Sequence, residues 1–408
     1  MKIALLHYSS PPIVGGVESV LAHHARLMMK AGHAATILAG RGKTFDARIP
    51  VHLLPHLDSR HAEVIRVKGL LDNGQHTPDF DALRDQIEQE LLSELREFDI
   101  LIAHNIASLH KNLPLTAALH KAYQTHPFPR LILWHHDLAW TTPRYRAEMH
   151  PGYPWDLLRE PWKGATHVAV SELRRRELSS LLGIPGEHVR VIPNGVDLNA
   201  FFKLEPQTIQ LVDQLKLIEA DPLFLLPVRL TPRKNIELAL RVLAELRSKF
   251  PKAVLLVTGP EGPHNPANAA YKQKLLDLRD QLSLQGVAHF LAEVTSELLP
   301  DAVIADFYRL ADALLFPSRE EGFGIPIIEA AFSFMPVFCA DIPVLCELAG
   351  EDVSYFHPDE APHAIAAQIS SRLESEATVR WARRAKHSYA WDSIYVIHID
   401  PLIQEVMA

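Results

Sequence analysis

The chain has 408 residues and a formal net charge of −8; 48% of its residues are hydrophobic and 22% are charged. Because a single hydrophobic core rarely grows to this length, we expect two domains of about 200 residues each. The acidic balance disfavours a nucleic-acid-binding protein, which would normally show a basic domain.

Predicted strands alternate with predicted helices in both halves of the chain. In the first half the strands fall at residues 3–7, 35–39, 100–104, 131–134 and 167–170, and the helices at 17–31, 81–97, 113–125 and 172–182. In the second half the strands fall at 224–228, 254–258, 289–290, 313–316 and 337–340, and the helices at 235–250, 268–284, 326–334 and 361–374. This alternation predicts an α/β fold with two parallel-sheet, Rossmann-like domains joined near residues 196–203. Residues 57–79 show no clear pattern, and we expect an irregular excursion there.

Gly15 and Gly16 lie between the first predicted strand and its helix. Glycines at this place let the backbone approach a ligand phosphate closely. A plain strand-to-helix turn that needs glycine conformations is an equally good explanation. The G-x-G-x-x-G fingerprint follows none of the predicted strands, which disfavours a nicotinamide-dependent dehydrogenase.

His135 and His136 follow the strand predicted at residues 131–134. The loop after them is rich in aromatic residues that could stack on the apolar face of a sugar ring: Trp140, Tyr145, Tyr153 and Trp155. The same aromatic residues could instead form the packed core of a long loop. A single histidine here would more often be structural, but the doublet beside these rings favours a binding site.

Arg229 and Lys234 flank a turn between a very apolar strand and a long amphipathic helix. Two cations at the start of a helix are unfavourable for its dipole, so a bound anion such as a nucleotide diphosphate would explain them. Ordinary solvated charges are the alternative, and Arg233 between them is expected to be one.

The segment from Glu321 to Glu329 places two carboxylates on either side of the turn Gly322-Phe323-Gly324. A predicted strand leads into the turn, and a helix-like run starting at Pro326 follows it. This arrangement directs backbone N–H groups and the positive end of a helix towards an anion, and proline suits a first helical position. An acidic first turn stabilised by the helix dipole is the alternative.

These segments, taken together, resemble the retaining glycosyltransferases of the GT-B fold, of the group 1 (family 4) type, whose signature is Glu-x7-Glu. Other matching segments follow in order along nearly the whole chain: Gly15-Gly16-Val17-Glu18, Trp134-His135-His136-Asp137, Val170-Ser171-Glu172, Ile192-Pro193-Asn194-Gly195-Val196-Asp197, Pro227-Val228-Arg229-Leu230 with Lys234, Val257-Thr258-Gly259-Pro260 and Pro317-Ser318. The resemblance implies two Rossmann-like domains facing each other across a deep cleft. Residues 1–197 would bind the acceptor, with a C-terminal helix at about 388–408 crossing back, and residues 198–387 would bind the nucleotide sugar.

The implied reaction is the retaining transfer of a hexose, of glucose or mannose type, from a UDP- or GDP-linked donor to an acceptor hydroxyl. The resemblance assigns donor binding to Gly15, Gly16, Arg229, Lys234, Glu321, Gly322, Phe323, Gly324, Ile325 and Glu329, and catalysis to His136, Arg229, Lys234 and Glu321. Glu329 would bind the ribose hydroxyls, and Glu321 the donor sugar. The two cations would stabilise the leaving phosphate, and same-face attack would need no side-chain nucleophile.

Neither a metal nor a cofactor is expected, the nucleotide sugar being a co-substrate. Asp79-Phe80-Asp81 spells an Asp-x-Asp string, but it precedes a helix, where Asp79 or Asp81 is predicted as an N-cap. The 23 histidines show no H-E-x-x-H or Cys/His spacing of a metal site. Two departures from the family pattern leave the donor's identity open: Asn235 in place of a glycine, and a longer loop at residues 259–265.

The acceptor is expected to be polar or anionic, a small molecule or a glycan, because basic residues gather in two segments of the first half: His104, His110, Lys111, Arg144 and Arg146. Membrane contact is expected to be peripheral at most. Two alternatives stay open: a GT-B sugar phosphorylase, and a non-catalytic nucleotide-sugar-binding protein.

A cytoplasmic location is expected. Cys339 and Cys346 cannot form a disulfide framework, and both lie in a hydrophobic stretch typical of buried thiols in a reducing compartment. The N-terminus does not have the pattern of a signal peptide, and apolar runs of about 18 residues are missing.

Overall fold

The computed structural model describes residues 1–261, 267–295 and 298–408. The chain divides into two compact units, the first made of Met1–Gly195 with Ile394–Ala408 and the second of Val196–Ser393. Each unit is built on one parallel sheet with helices between its strands. The predicted fold class, α/β with two Rossmann-like domains, is therefore confirmed.

The first unit contains a seven-stranded sheet in the order β3-β2-β1-β4-β5-β6-β7. Its strands are β1 (Lys2–Ser9), β2 (Ala34–Arg41), β3 (Val51–Leu53), β4 (Ile100–His104), β5 (Arg130–His135), β6 (Thr166–Ala169) and β7 (Val189–Val191). The helices between them are α1 (Gly16–Lys30), α2 (Ala62–Leu71), α3 (Pro78–Glu94), α4 (Leu113–Thr125) and α5 (Glu172–Leu182). Residues 3–9 of β1 are all buried, as expected for a central parallel strand covered on both faces.

The second unit contains a six-stranded sheet in the order β10-β9-β8-β11-β12-β13. Its strands are β8 (Leu223–Leu226), β9 (Val254–Val257), β10 (Ala288–Phe290), β11 (Ala313–Phe316), β12 (Val337–Ala340) and β13 (Ser354–Phe356). Its helices are α6 (Leu198–Phe202), α7 (Pro206–Gln214), α8 (Ile236–Leu246), α9 (Ala267–Gln281), α10 (Asp301–Leu310), α11 (Ile325–Phe332), α12 (Pro343–Ala349), α13 (Pro362–Ser375) and α14 (Ala377–Tyr389).

The C-terminal segment is a helix in three pieces. It consists of α15 (Trp391–Ile394), a π-helical stretch at Tyr395–Ile399 and α16 (Asp400–Met407). Pro401 follows the π-helical stretch and lacks the N–H group that would continue the regular hydrogen-bond ladder. From Ile394 onward the segment belongs to the first unit.

The sequence missed several elements. The irregular excursion expected at residues 57–79 is wrong, because that stretch contains α2, whose buried positions Val64, Val67 and Leu71 are separated by polar residues. The strands β3, β7 and β13, of three residues each, were not predicted, because so short a segment gives only a weak hydrophobic pattern. Helices α6, α7, α10, α12 and α14 were not predicted either.

The two cysteines differ in burial. Cys339 is fully buried in β12, and burial raises the pKa of its thiol to about 12. Cys346 is only half-buried, and its thiol donates to Asp341 Oδ1 at 3.1 Å. The expectation of two buried thiols is therefore correct for Cys339 and wrong for Cys346.

Candidate active site

Each sheet has one place where the strand order reverses, and most of the predicted site residues lie there. In the first unit β1 pairs with β2 on one side and with β4 on the other, so the reversal falls between β1 and β4. In the second unit it falls between β8 and β11. Ligands of open parallel sheets bind beyond the carboxyl ends of the strands at such a switch point.

Lys234 and Glu321 form an ion pair at the switch point of the second unit. Lys234 Nζ lies 2.5 Å from Glu321 Oε1, and the two side chains are only 11% and 9% exposed. The ammonium also lies 5.6 Å from the ring centre of Phe316, the last residue of β11. The structure therefore brings two of the predicted catalytic residues together as a nearly buried pair.

The turn from Gly322 to Ile325 has the geometry expected of an anion-binding helix start. Gly324 has φ +104°, in the left-handed region, and a Cβ on it would lie 2.6 Å from Leu345 Cδ2. α11 begins at the next residue, with proline at its second position. Phe323 and Ile325 are exposed, so the first amides of α11 are near solvent and can donate to an anion.

Two hydrogen bonds join the loop after β8 to the loop after β11. Arg319 N–H donates to Arg233 O at 2.8 Å, and Arg233 Nη1 donates to Glu320 O at 3.3 Å. Arg233 is exposed, as expected of a solvated charge, and its guanidinium also contacts the neighbouring loop. Arg229 is exposed and, within the described part of the chain, pairs with no carboxylate, which leaves its charge available to a ligand.

Asn235 explains one departure from the family pattern. Its φ is +52°, a left-handed conformation that glycine adopts most readily and asparagine next. Its side-chain Nδ2 donates to Pro358 O at 3.1 Å. Asparagine thus keeps the turn that glycine makes elsewhere and adds a bond to the loop after β13.

We expect Asn235→Gly to change the free energy of unfolding by less than about 1 kcal/mol, since the lost hydrogen bond is partly offset by the better left-handed residue. Asn235→Val is expected to cost about 1–3 kcal/mol, because a β-branched residue is strained at positive φ. Urea unfolding of the two variants measures the difference. Equal stability of the glycine and valine variants would contradict this explanation.

Glu329 pairs with a tyrosine. Its Oε2 accepts a hydrogen bond from the Tyr308 hydroxyl at 2.6 Å, and burial together with this carboxylate raises the pKa of Tyr308. Both side chains line a groove of 1070 Å³ bordered by α10, α11 and α14. Among the described residues, Glu329 and Glu321 have different partners. That both carboxylates face one ligand therefore stays a prediction.

A cluster of histidines lies at the switch point of the first unit. His136 Nε2 lies 3.0 Å from His104 Nδ1, with the two rings stacked at 24°. His7 Nδ1 lies 2.9 Å from His104 O, and His24 packs edge-on against Trp134. Burial lowers the pKa values of all four histidines, to about 3 for His24 and His136. His136 is therefore neutral at pH 7 and can offer a hydrogen bond but no charge.

His135 and His136 point to different partners. His135 Nε2 lies 3.1 Å from Nδ1 of His167 on the neighbouring strand β6, and both rings are buried. Burial lowers the pKa of His167 to about 4 and that of His135 well below its usual range. His135 is thus a packed core histidine, which agrees with assigning the site role to His136.

Asn105 organises the loop that carries His136, and sequence reasoning missed it. Its Oδ1 accepts from the backbone N–H of His136 at 2.8 Å and from that of Asp137 at 3.2 Å. Its φ is +60°, and the Tyr8 hydroxyl donates to its carbonyl at 3.2 Å. An asparagine directly after a predicted strand was the available signal, because asparagine tolerates left-handed backbone.

Of the two glycines, only Gly15 lies against Glu18. Gly15 is extended, with φ −170°, so its backbone needs no glycine, but a Cβ on it would lie 2.0 Å from Glu18 Oε2. Glu18 Oε1 accepts from the Ser9 hydroxyl at 2.6 Å. The explanation based on a special glycine conformation is wrong at Gly15, which instead makes room for a carboxylate beside β1. No heavy atom of the described residues lies within 4 Å of a Cβ placed on Gly16.

Asp79 and Asp81 do not cap a helix as predicted. α3 begins at Pro78, and its N-cap is Thr77. Asp79 pairs with Arg66 at 2.5 Å, and Asp81 pairs with Arg84 at 2.5 Å. Both carboxylates lie in the first turn of α3 and form ion pairs with arginines instead of capping the helix.

The aromatic loop after β5 is largely packed. Trp155 is buried, and its carbonyl accepts from Trp140 Nε1 at 3.1 Å. The guanidinium carbon of Arg144 lies 4.7 Å from the ring centre of Tyr145. Tyr153 remains partly exposed. These contacts favour a loop core over a stacking platform for Trp140 and Trp155.

Part of the donor loop predicted to differ from the family, residues 262–265, lies outside the described residues. The part that is described approaches the loop after β8 closely. Leu230 N–H donates to Pro260 O at 3.1 Å, and a Cβ on Gly259 would lie 2.1 Å from Val228 O. A glycine is thus required at residue 259 by the closeness of the two loops.

Among the described residues, no helix combines the length and the apolar character needed to span a bilayer.

Comparison with known proteins agrees with the two-domain fold. The family described as "Glycosyl transferases group 1" matches residues 208–388, and "Glycosyltransferase Family 4" matches residues 14–200. Mannosylglucosylglycerate synthase of Petrotoga mobilis is 24% identical over 433 residues, covering 98% of this chain and 94% of that protein. D-inositol 3-phosphate glycosyltransferase of Kineococcus radiotolerans is 32% identical over 55% of this chain and 53% of its own length. O-antigen chain mannosyltransferase B of Escherichia coli is 25% identical over 66% and 69%, respectively.

Proposed function

Because the chain belongs to the GT-B glycosyltransferases of the group 1 and family 4 type, we propose that it transfers a hexose, of glucose or mannose type, from a nucleoside diphosphate sugar to an acceptor hydroxyl. In this proposal the transfer proceeds with retention of configuration and without a metal ion. The observation that carries the proposal is the Lys234–Glu321 pair beside the start of α11, at the switch point of the second unit.

Lys234 would bind the diphosphate. Negative charge develops on the β-phosphate as the sugar leaves, and a fixed cation in a water-poor site stabilises that charge strongly. Arg229, exposed at the same turn, would add a second cation, and the first amides of α11 would donate to the phosphate oxygens. These groups replace the charge that a metal ion supplies in other transferases.

Glu321 would exchange partners when the donor binds. In the absence of donor its carboxylate neutralises Lys234, so neither charge is left uncompensated in a nearly buried place. When the diphosphate pairs with the ammonium of Lys234, the carboxylate of Glu321 becomes free to accept hydrogen bonds from hydroxyls of the donor sugar. The pair would thus bind the two parts of one ligand, the diphosphate at Lys234 and the sugar hydroxyls at Glu321.

Glu329 would bind the ribose hydroxyls, with Tyr308 orienting it. The tyrosine hydroxyl donates to Oε2, and a carboxylate has further acceptor positions on both oxygens. We propose that His136, neutral and hydrogen-bonded to His104, donates a hydrogen bond to the donor sugar. Its role follows from the family resemblance.

A polar, anionic acceptor is favoured by the charges of the first unit. Burial is the main cause of the lowered pKa of His7; the nearby carboxylate of Glu18 raises that pKa, and the positive charge of the exposed Lys111 lowers it. A cation thus lies near the histidine cluster at the switch point. Two relatives are named for small polar products or acceptors, mannosylglucosylglycerate and D-inositol 3-phosphate, which supports a small sugar acid or sugar phosphate here.

We expect Glu329→Gln to raise the KM for the nucleotide sugar about 10- to 100-fold with little change in kcat, because hydrogen bonds to a charged group contribute about 1.5–3 kcal/mol of binding. Tyr308→Phe, which keeps the carboxylate and removes only its hydroxyl partner, should have a smaller effect in the same direction. Steady-state kinetics with varied donor measures both. A fall in kcat alone would contradict the ribose role.

The stereochemistry tests the reaction class. With a hexose donor and an accepted polyol, proton NMR of the first product should show the anomeric coupling of the donor preserved. An inverted anomer would contradict retention. Sugar release that needs inorganic phosphate and no nucleotide would instead establish the phosphorylase alternative.

A further inference from the structure

We propose that His56, His61 and Glu63 form a binding site for one Zn²⁺ ion in the first unit, with Glu90 orienting His56. The three residues lie outside the switch point and outside every residue assigned to glycosyl transfer above. One ligand atom from each lies within 4.8 Å of the others. Two imidazoles and one carboxylate are a ligand set that zinc accepts, leaving a fourth position for water.

The backbone brings the two histidines together. His56 lies in a short 3-10 turn, Pro55–Leu57, and His61 is the residue before α2. Between them the chain reverses, with His61 N–H donating to Asp58 O at 3.0 Å. Gly40 packs closely against this turn, since a Cβ on Gly40 would lie 1.8 Å from the backbone nitrogen of Asp58. The two imidazoles are thus held edge to face, with ring centres 4.7 Å apart.

The hydrogen bonds of His56 indicate which nitrogen would bind the ion. Nδ1 lies 2.9 Å from Glu90 Oε1, and Nε2 lies 3.4 Å from Glu63 Oε2. A neutral imidazole donates from only one nitrogen. With the ion bound, Nδ1, which is closer to its carboxylate, would keep the proton, and Nε2, which faces Glu63, would bind the metal.

The distance between His56 and Glu63 fits a tetrahedral ion, and His61 lies within 4.8 Å of both. Zinc bonds of about 2.0–2.2 Å place neighbouring ligand atoms of a tetrahedron about 3.3–3.5 Å apart. The distance between His56 Nε2 and Glu63 Oε2 has this value. On the other side of the ring, Glu90 accepts from Nδ1, the carboxylate–histidine–zinc arrangement that fixes a ligating imidazole in orientation and tautomer.

Two further observations point to a missing partner. His61 Nδ1 is buried and has no hydrogen-bond partner among the described residues, and the same holds for Glu90 Oε2. In that part of the chain, no lysine or arginine pairs with Glu63 or Glu90. Apart from His56, the two carboxylates thus have no cationic partner in the described residues, and their charge favours a divalent cation at this place.

A second group of similar composition shows the contrast. Asp72, His110 and Glu148 also lie within 4.8 Å of one another. There, however, Lys68 Nζ lies 2.6 Å from Asp72 and 2.9 Å from Glu148. An ammonium already occupies the place of a cation in that group, so we assign the zinc site to His56, His61 and Glu63.

The test is titration of the untagged full-length chain, freed of metal by a chelator, with zinc sulfate alone. Isothermal titration calorimetry should show saturable binding of one ion per chain, and zinc should raise the melting temperature. His61→Asn removes the imidazole while supplying a good N-cap residue, and Glu63→Gln changes only an exposed carboxylate. Each should weaken zinc binding at least ~10-fold, and Glu90→Gln about 10-fold, the usual loss for an orienting partner.

His52→Ala is the matched control, since His52 lies on the adjacent strand β3 and contacts Glu94 on α3 at 2.9 Å. It should leave zinc binding unchanged. Circular dichroism checks that each variant is folded. The proposal would be overturned by a folded wild-type chain that takes up no zinc, by uptake that survives in the His61→Asn/Glu63→Gln double variant, or by an equal loss in His52→Ala. None of these readouts depends on transferase activity.

Discussion

Lys234→Ala is expected to lower kcat/KM for the nucleotide sugar by about 10²–10³, the loss typical for removing one group that stabilises charge in the transition state. The ammonium is nearly buried and lies 2.5 Å from Glu321. It is therefore placed to act on an anion with little screening by water. The matched control is Arg233→Ala, which removes the cation directly before Lys234 in the sequence. The Arg233 guanidinium donates to the backbone carbonyl of Glu320, so this variant should have a much smaller kinetic effect.

The same variant has a second consequence that must be separated from the first. Removing Lys234 leaves Glu321 as an uncompensated charge in a place where its side chain is 9% exposed. Breaking such a pair costs about 3–5 kcal/mol of stability. Lys234→Met with Glu321→Gln removes both charges and should recover most of that stability without recovering activity. Activity that returned together with stability would show that Lys234 acts only in folding.

Mild acid is expected to unfold the first unit. Six of its buried histidines have pKa values lowered by burial: His7, His24, His104, His135, His136 and His167. In the unfolded chain a histidine titrates near pH 6.5. Between that pH and the lowered values, the unfolded state binds more protons than the folded state. The free energy of unfolding is therefore unaffected by these groups above about pH 6.5 and falls as the pH falls below it.

The size of the acid effect follows from the three histidines with values of about 3, 3 and 4, which are His24, His136 and His167. At pH 4.5 each would cost up to about 2.7 kcal/mol, since one pKa unit corresponds to about 1.36 kcal/mol. Together they reach on the order of 5–8 kcal/mol, comparable to the whole stability of a typical domain.

Thermal melts at pH 7.5, 6.5, 5.5 and 4.5 measure this loss. Fluorescence of Trp134, which stacks on His104, reports the same region. His167→Gln removes one titrating group and should reduce the dependence of stability on pH. His126→Gln, at an exposed position, should not. A melting temperature that stayed constant from pH 7.5 to 4.5 would contradict the account of the histidine cluster.

Local patterns in the sequence were enough for the fold class and for the turn after β11. Gly324 and Pro326 lie where a left-handed residue and a helix start require them, and these preferences belong to single residues. The strands β3, β7 and β13 and helix α2 were not predicted, because tertiary packing rather than a strong local pattern fixes them. The π-helical stretch before α16 escaped it for the same reason.

Partners that are distant in sequence could not be predicted from spacing. Lys234 and Glu321 are 87 positions apart, and only the pairing of β8 with β11 brings them together. Asn105 and His136 are 31 positions apart and meet because β4 and β5 are neighbours. His56 and His61 are close in sequence, but their link to Glu90 depends on the packing of α3.

The most direct test of the central claim is thermal stabilisation by a panel of ligands: UDP, GDP, ADP, their common sugars, and NAD as a control. A ligand that binds only the folded state raises the melting temperature by mass action. The account predicts a shift of several degrees with one nucleoside diphosphate and its sugars, absent in the Lys234→Met/Glu321→Gln variant and absent with NAD. A flat response of the folded wild-type chain to every nucleotide would contradict a nucleotide-sugar site at Lys234 and Glu321.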